Sequence, residues 1–272
     1  MLTGALALAA LAAIVGVVLL YSGAYNVAAS LQHSRPVYWV LDTGMRHSVR
    51  RHSSGIVVPD LTDPELLRTG AQCFHLTCAK CHGAPGIARE DIGRGLLPLP
   101  NDLTQTARDW PPEQIYWVTR HGIRMAGMPA WEARFSDRDL WAVVAFLENE
   151  LPRLSVREYR ERIRDVSEMS CPRPMDESAR PDAARGRELM REYACHGCHR
   201  IPGIVGPDVY VGPPLEGFAH RAVIAGVLPN TRDNLIRWLR DPQSVSAMTV
   251  MPDLDVTAQH AADMAAYLES LD

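Results

Sequence analysis

The chain opens on apolar positions that show no polar period. Residues 2–20 are almost wholly Leu, Ala, Val, Ile and Gly, and no charged side chain occurs before Arg35. About 20 helical residues span roughly 30 Å, the thickness of a bilayer core, so this run predicts a transmembrane anchor over residues 1–25. The rival is a cleaved signal peptide, whose apolar stretch is usually about 7–15 residues behind a basic residue. This run is longer and no Lys or Arg precedes it, so a retained anchor is expected; cleavage at Val27-Ala28-Ala29 is the alternative. Tyr21, Tyr25, Tyr38 and Trp39 follow, which suits an interfacial aromatic belt. Residues 26–59 then carry His33, Arg35, Arg46, His47, Arg50, Arg51 and His52, a juxtamembrane segment suited to lipid head groups or a partner subunit.

Past Pro59 the pattern becomes helical and capped. Asp63-Pro64-Glu65 reads as N-cap, N1 proline and first-turn acid. The helix behind it runs towards Cys78 with Leu66, Leu67 and Phe74 as core candidates, and Gly83-Ala84-Pro85-Gly86 ends it. A proline-rich loop follows. A second helix starts at Pro111-Pro112-Glu113 and closes at Gly122. After Met125-Ala126-Gly127-Met128-Pro129, the stretch Ser136-Asp137-Arg138-Asp139 opens a last helix with Leu140, Val143, Val144 and Leu147 on one face. These elements define a domain at residues 60–152. Residues 153–182, rich in proline and charge, read as linker with room for a short helix around 155–168.

Residues 183–272 repeat the order. A helix from about Asp182 to Tyr193 leads into a Pro/Gly-rich loop. Thr231 caps a helix through Leu235, Ile236, Trp238 and Leu239 that stops at Asp241-Pro242. Met248-Thr249-Val250-Met251-Pro252 follows, and Thr257 caps a final helix with Ala261, Met264, Ala265 and Leu268 on one face. The two halves are an internal duplication at low identity. The expected architecture is all-α: an N-terminal transmembrane helix and two helical domains.

Composition changes this picture little. At 47% hydrophobic residues each half can bury a core, and a formal net charge of −4 gives no footprint for nucleic-acid binding. The six cysteines matter more. Four form Cys78-Ala79-Lys80-Cys81-His82 and Cys195-His196-Gly197-Cys198-His199. C-x-x-C-H is the attachment signature of c-type haem: two thiols form thioethers to one porphyrin, and the next residue places an imidazole under the iron. A shared four-cysteine zinc site would need the two pairs far closer in sequence. A thioredoxin-like motif would need a βαβ context that is absent from the pattern. Neither rival explains a His directly behind both pairs, so two covalently bound haem c groups are expected. Attachment at CxxCH takes place outside the cytoplasm in bacteria, which sets both domains in the periplasm against the pull of the arginines behind the span. Ligation by His47 or His52 is not expected. Cys73 and Cys171 remain. An oxidising compartment would let them pair, but Cys73, on the helix before Cys78, could equally stay a buried thiol.

The order helix, CxxCH, proline-rich loop, Trp-bearing helix, Met-Pro, capped helix resembles the class I cytochrome c fold. In that family the His of CxxCH is the proximal ligand and a Met near the start of the last helix is the distal one. The resemblance therefore implies Cys78, Cys81, His82 and Met128 at one haem, and Cys195, Cys198, His199 and Met251 at the other. Gly212-Pro213-Pro214-Leu215, Ile224 through Thr231, Trp238 through Gln243 and Met251-Pro252 are similar to the cytochrome c domain fused to subunit II of some haem-copper oxidases. The first domain is similar to haem domains of dihaem subunits found with oxidases and with periplasmic dehydrogenases. The chain departs from subunit II in lacking a two-helix hairpin and a copper-A motif. The resemblance implies a membrane-anchored dihaem cytochrome c of the bacterial inner membrane. It would pass single electrons on the periplasmic face to a terminal oxidase or, alternatively, accept them as the cytochrome subunit of a dehydrogenase. A peroxidase-like enzyme would need an open iron, against which both Met-Pro pairs argue; no catalytic residue is assigned.

Overall fold

The computed structural model describes residues 2–166, 171 and 180–272. Residues 167–170 and 172–179, most of the second half of the expected linker, lie outside the described residues. The chain divides into two units, Met1–Glu132 with Asp137–Pro172, and Ala133–Ser136 with Arg173–Asp272. The architecture is mostly helical.

Helix α1, Leu2–Ser22, is uniformly apolar and exposed. Among the described residues it is the one helix long and apolar enough to cross a membrane. Helix α2, Arg35–Ser53, was not assigned from the sequence. Pro36 sits in its first turn, where the missing N–H costs nothing, and Arg50, Arg51 and His52 close it at the negative end of the helix dipole.

In the first unit, α3 (Pro64–Cys73) begins as expected: the Asp63 side chain accepts from the Glu65 amide and Pro64 is at N1. The helix does not stop at Cys73. It widens into a π-helical stretch, Phe74–Cys78, and resumes as Ala79–His82, so one helical run delivers the whole CxxCH. Helix α4 is Pro112–His121 and α5 is Asp137–Asn149. Leu140, Val143, Val144 and Leu147 of α5 are buried as expected, but so are Ala142, Ala145 and Phe146, because α5 is enclosed on nearly every side. The closest approach is to α3. A Cβ on Gly70 would overlap the carbonyl of Ala142 and lie 2.8 Å from the Cβ of Phe146.

Helix α6, Val156–Arg162, starts with a capping box in which Ser155 and Glu158 exchange side-chain-to-backbone bonds. It is more than tether: Tyr159 is fully buried, its ring edge-on to Phe74, and the Tyr159 hydroxyl meets His75 Nδ1 at 3.2 Å. Beyond it Cys171 is bonded to Cys73, with Cα atoms 5.0 Å apart, so the open choice between bridge and free thiol resolves to a disulfide.

In the second unit α7 is Ala183–Glu192, α8 is Arg232–Arg240 and α9 is Ala258–Leu268. Asp182, Thr231 and Thr257 each accept the N3 amide of their helix. Ala261, Met264, Ala265 and Leu268 fill the core with Leu189, Leu235 and Leu239. A Cβ on Gly186 of α7 would overlap the carbonyl of Asp263 on α9, which repeats the Gly70 approach of the first unit. The Asp263 carboxylate, fully buried, is satisfied by Arg185 Nε at 2.5 Å, the Asp182 amide at 2.8 Å and Gln259 at 3.1 Å. Among the described residues the strands form one antiparallel hairpin of two-residue strands, β1 (Val223–Ile224) with β2 (Leu228–Pro229).

Candidate haem-attachment sites

Each CxxCH follows the helical segment that packs across its unit, α3 against α5 and α7 against α9, so helix packing fixes the position of the thiols. In the first unit Cys78 is buried, while Cys81 and His82 are half-buried. In the second unit α7 ends at Glu192, Ala194 adopts a left-handed φ of 55°, and Cys195–Gly197 forms a 3₁₀ turn. The two motifs thus reach a similar local layout by different backbone routes, one continuous and one broken. Among the described residues the four CxxCH cysteines are the free ones. Burial pushes the Cys78 and Cys195 thiols up to about 11, so both are protonated and neutral at pH 7.

Both histidines are oriented in the same way. His82 Nδ1 lies 2.7 Å from the carbonyl of Asn101, and His199 Nδ1 lies 2.8 Å from the carbonyl of Pro213. A carbonyl only accepts, so each Nδ1 donates, and the lone pair is left on Nε2 for a metal. Burial lowers the pKa of His82, which favours the neutral ring that can ligate.

The loops behind the histidines hold them in place. In the first unit Glu90 N donates to Lys80 O at 2.8 Å, and a Cβ on Gly93 would lie 2.7 Å from the Cys81 backbone. The same loop reaches the Met-Pro segment, where Leu96 packs 2.9 Å from the Cβ position of Gly127. That segment is a tight turn: Ile123 N donates to Met128 O at 3.1 Å, and Gly122, with φ 67°, occupies a space that any Cβ would contest with Met128 O. One loop therefore touches both the histidine and the methionine segments.

In the second unit Gly212 N donates to Cys198 O at 2.9 Å, and Leu215 N donates to Arg200 O at 2.8 Å. Gly212 lies so close to His199 that a Cβ there would overlap the imidazole. A cavity of about 430 Å³ adjoins this ring, lined by His196, His199, Ile204, Val205 and Pro207. Met251 packs against the core, and its carbonyl accepts Gln243 Nε2 at 2.7 Å. Met128 and Met251 are half-buried, whereas Met125 and Met248 are 94% and 91% exposed. His47 is exposed, and His52 stacks on Trp117 at 5.7 Å between ring centroids.

These residues fit haem c. Two free thiols and an imidazole with Nε2 free are present at each motif, as a thioether-linked, His-ligated macrocycle requires, and at His199 a glycine makes room for the ring. Sequence reasoning missed Gly70, Gly186 and Gly212, whose roles appear only where two segments meet. The duplicated glycine ahead of each CxxCH was the available signal for the first two.

Known proteins resemble both halves of the chain. The family model described as cytochrome c oxidase, cbb3-type, subunit III matches residues 65–147, and the cytochrome c model matches residues 183–272. The chain is 40% identical over 90 residues to cytochrome c oxidase subunit 2 of Alkalihalophilus pseudofirmus, which covers 33% of this chain and 25% of that protein. It is 36% identical over 67 residues to cytochrome c oxidase subunit 2 of Bacillus sp. (strain PS3), covering 24% and 18%. The corresponding protein of Bacillus subtilis is 34% identical over 65 residues, covering 23% and 18%. The chain thus spans a quarter or less of the length of these relatives. No solved structure matches it.

Proposed function

From a chain that carries two cytochrome c domains, the second resembling that of cytochrome c oxidase subunit 2, we propose a membrane-anchored dihaem electron carrier that delivers electrons to a terminal haem-copper oxidase. Cys78 and Cys81 hold one haem and Cys195 and Cys198 the other, each through two thioethers. His82 and Met128 would ligate the iron of the first, His199 and Met251 that of the second. When bound, haem c supplies one-electron exchange between Fe(III) and Fe(II).

The chain's own residues do the rest. The carbonyls of Asn101 and Pro213 fix the tautomer of each histidine and make it a stronger donor. Met128 and Met251 contribute soft thioether ligands, which favour Fe(II) and raise the potential towards the late part of a respiratory chain. With a His and a Met both ligating, each site would leave no position for substrate, so the reading is a carrier rather than an oxidant of organic molecules. Helix α1 keeps both domains on the periplasmic face of the inner membrane.

The observation that carries the oxidase reading is the likeness to oxidase subunits in both halves of the chain. A domain fused to an oxidase in one protein implies that its docking surface suits an oxidase in another, and an anchored carrier searches for that surface at high effective concentration. The test is turnover. Membranes holding the reduced protein, or the complex that co-purifies with it in mild detergent, should be oxidised by O2 in a cyanide-sensitive way. Co-purification with a flavin-, quinone- or molybdenum-dependent dehydrogenase, and no oxidase, would overturn the assignment.

A further inference from the structure

Helix α2 is divided into two halves of different surroundings. Its C-terminal half is held by the first unit: Val49 and Ser53 are buried, His52 stacks on Trp117, and the Arg46 guanidinium lies over the Trp110 ring at 5.1 Å. Its N-terminal half carries five successive apolar residues, Val37-Tyr38-Trp39-Val40-Leu41, and the last four are 54–66% exposed. Five consecutive helical residues complete more than one turn, so this segment is apolar on every side. A protein partner covers one stripe of a helix. Exposure all round calls instead for a medium that surrounds it.

The chain before it has the same character. Tyr25, Val27 and Leu31 are exposed, and from Leu2 to Leu41 the one fully ionised side chain is Arg35. Charge returns only at Asp42, which takes Arg46 at 2.9 Å, and then at the exposed Arg50 and Arg51. The charge pattern places the exit from the apolar phase at Asp42 rather than at Ser22. The length agrees: five residues rise about 7 Å, within the roughly 5–10 Å that interfacial helices enter the headgroup–acyl boundary. That is far short of the roughly 30 Å needed to span. Tyr and Trp are the residues enriched at that depth, and a long Arg35 side chain can lie along apolar surface with its guanidinium on phosphate.

We propose that Val37–Leu41 of α2 is a second membrane contact, inserted in the outer boundary of the bilayer that α1 enters. Arg35 meets anionic headgroups there. Because the other half of α2 is packed on α4, this contact holds the first haem domain against the membrane surface. The proposal rests on the anchor reading of α1, and one measurement separates the two. Purified full-length protein in phosphatidylcholine–phosphatidylglycerol nanodiscs that contain a diazirine-acyl lipid is photolysed, and adducts are mapped by fragmentation to single residues.

The expected result is adducts in α1, none in residues 42–53, and a second group in 37–41. Trp39→Glu with Leu41→Glu should reduce the second group at least tenfold and leave the first unchanged. Adducts in α1 alone would overturn the proposal while the anchor stands. Adducts at 37–41 in a mature chain that lacks α1 would uphold it while the anchor falls. Crosslinks from 37–41 to another polypeptide in native membranes, with no lipid adduct in nanodiscs, would also overturn it.

Discussion

At the scale of single residues the two sites depend on groups that a side-chain inventory overlooks. A backbone carbonyl orients each histidine, and a glycine lets one of them fit. Gly212→Ala would drive a methyl into the His199 ring, so the expected outcome is a protein that carries one haem, in the first domain. Gly197→Ala, between Cys195 and Cys198, meets nothing within 4 Å and should leave both haems in place. Haem stoichiometry by pyridine haemochrome separates the two variants. The methionines give a second test. Proline holds its predecessor extended, which lets that side chain project from the loop, and Met128 and Met251 precede Pro129 and Pro252. Met128→Ala or Met251→Ala should open one iron to cyanide and abolish half of the Met–Fe charge-transfer band. Met125→Ala and Met248→Ala, altering exposed side chains, should leave the spectrum unchanged; the reverse pattern refutes the ligand assignment. The CxxCH residues were legible in the sequence because their chemistry is local, five positions in a row. Gly212 was not, because its constraint comes from a ring thirteen positions away that only the folded loop brings near.

At the scale of elements, α3 and α5 in the first unit, and α7 and α9 in the second, cross where one glycine removes a side chain. At Gly70 the facing atoms are the Ala142 carbonyl and the Phe146 Cβ, and at Gly186 the Asp263 carbonyl. Neither backbone nor buried ring can yield cheaply, so Gly70→Ala or Gly186→Ala should each cost about 1–3 kcal/mol, the usual range for overpacking a core. Gly44→Ala in α2, with nothing within 4 Å, should instead gain up to about 1 kcal/mol from helix propensity. Denaturant midpoints, followed by far-UV circular dichroism, give the sign of each change. The capped, periodic helices were legible because cap residue and apolar spacing agree. Helix α2 was not: its N-terminal half is apolar on all sides and its C-terminal half is basic, so neither half shows the one-sided stripe that marks a core-facing helix. Helix α6 was expected as a short helix around 155–168 and lies within those bounds, but its packing role was not legible. It contributes a single fully buried aromatic, Tyr159, and one anchor gives no period to read. The Cys73–Cys171 bridge then ties the chain beyond α6 to α3 across a separation of 98 residues. A loop of that length corresponds to roughly 4–5 kcal/mol of lost unfolded-state entropy in the chain-entropy model.

For the whole molecule the central question is what α1 does after synthesis, since a carrier tied to a membrane and one released from it meet different partners. Duplication made the two-domain plan legible, because each half repeats one order of motifs and confirms the reading of the other. The apolar run has no such second copy. Length favours the anchor: Thr3–Ser22 is 20 residues, enough for a span of roughly 30 Å, where the apolar part of a signal peptide needs about half that. Every described side chain from Thr3 to Ser22 is bare, and a helix this apolar needs a surrounding that water does not supply. Retention should therefore be visible in the mature protein. Washed membranes should keep the dihaem chain through high salt and carbonate, which strip proteins held by charge alone, and release it only to detergent. The intact mass should include residues 1–29 and two haems. A mature chain starting near Ala28 or Ala29 and recovered in the soluble periplasm would assign the run to export, and electron delivery would then depend on diffusion and docking instead of confinement at the membrane face.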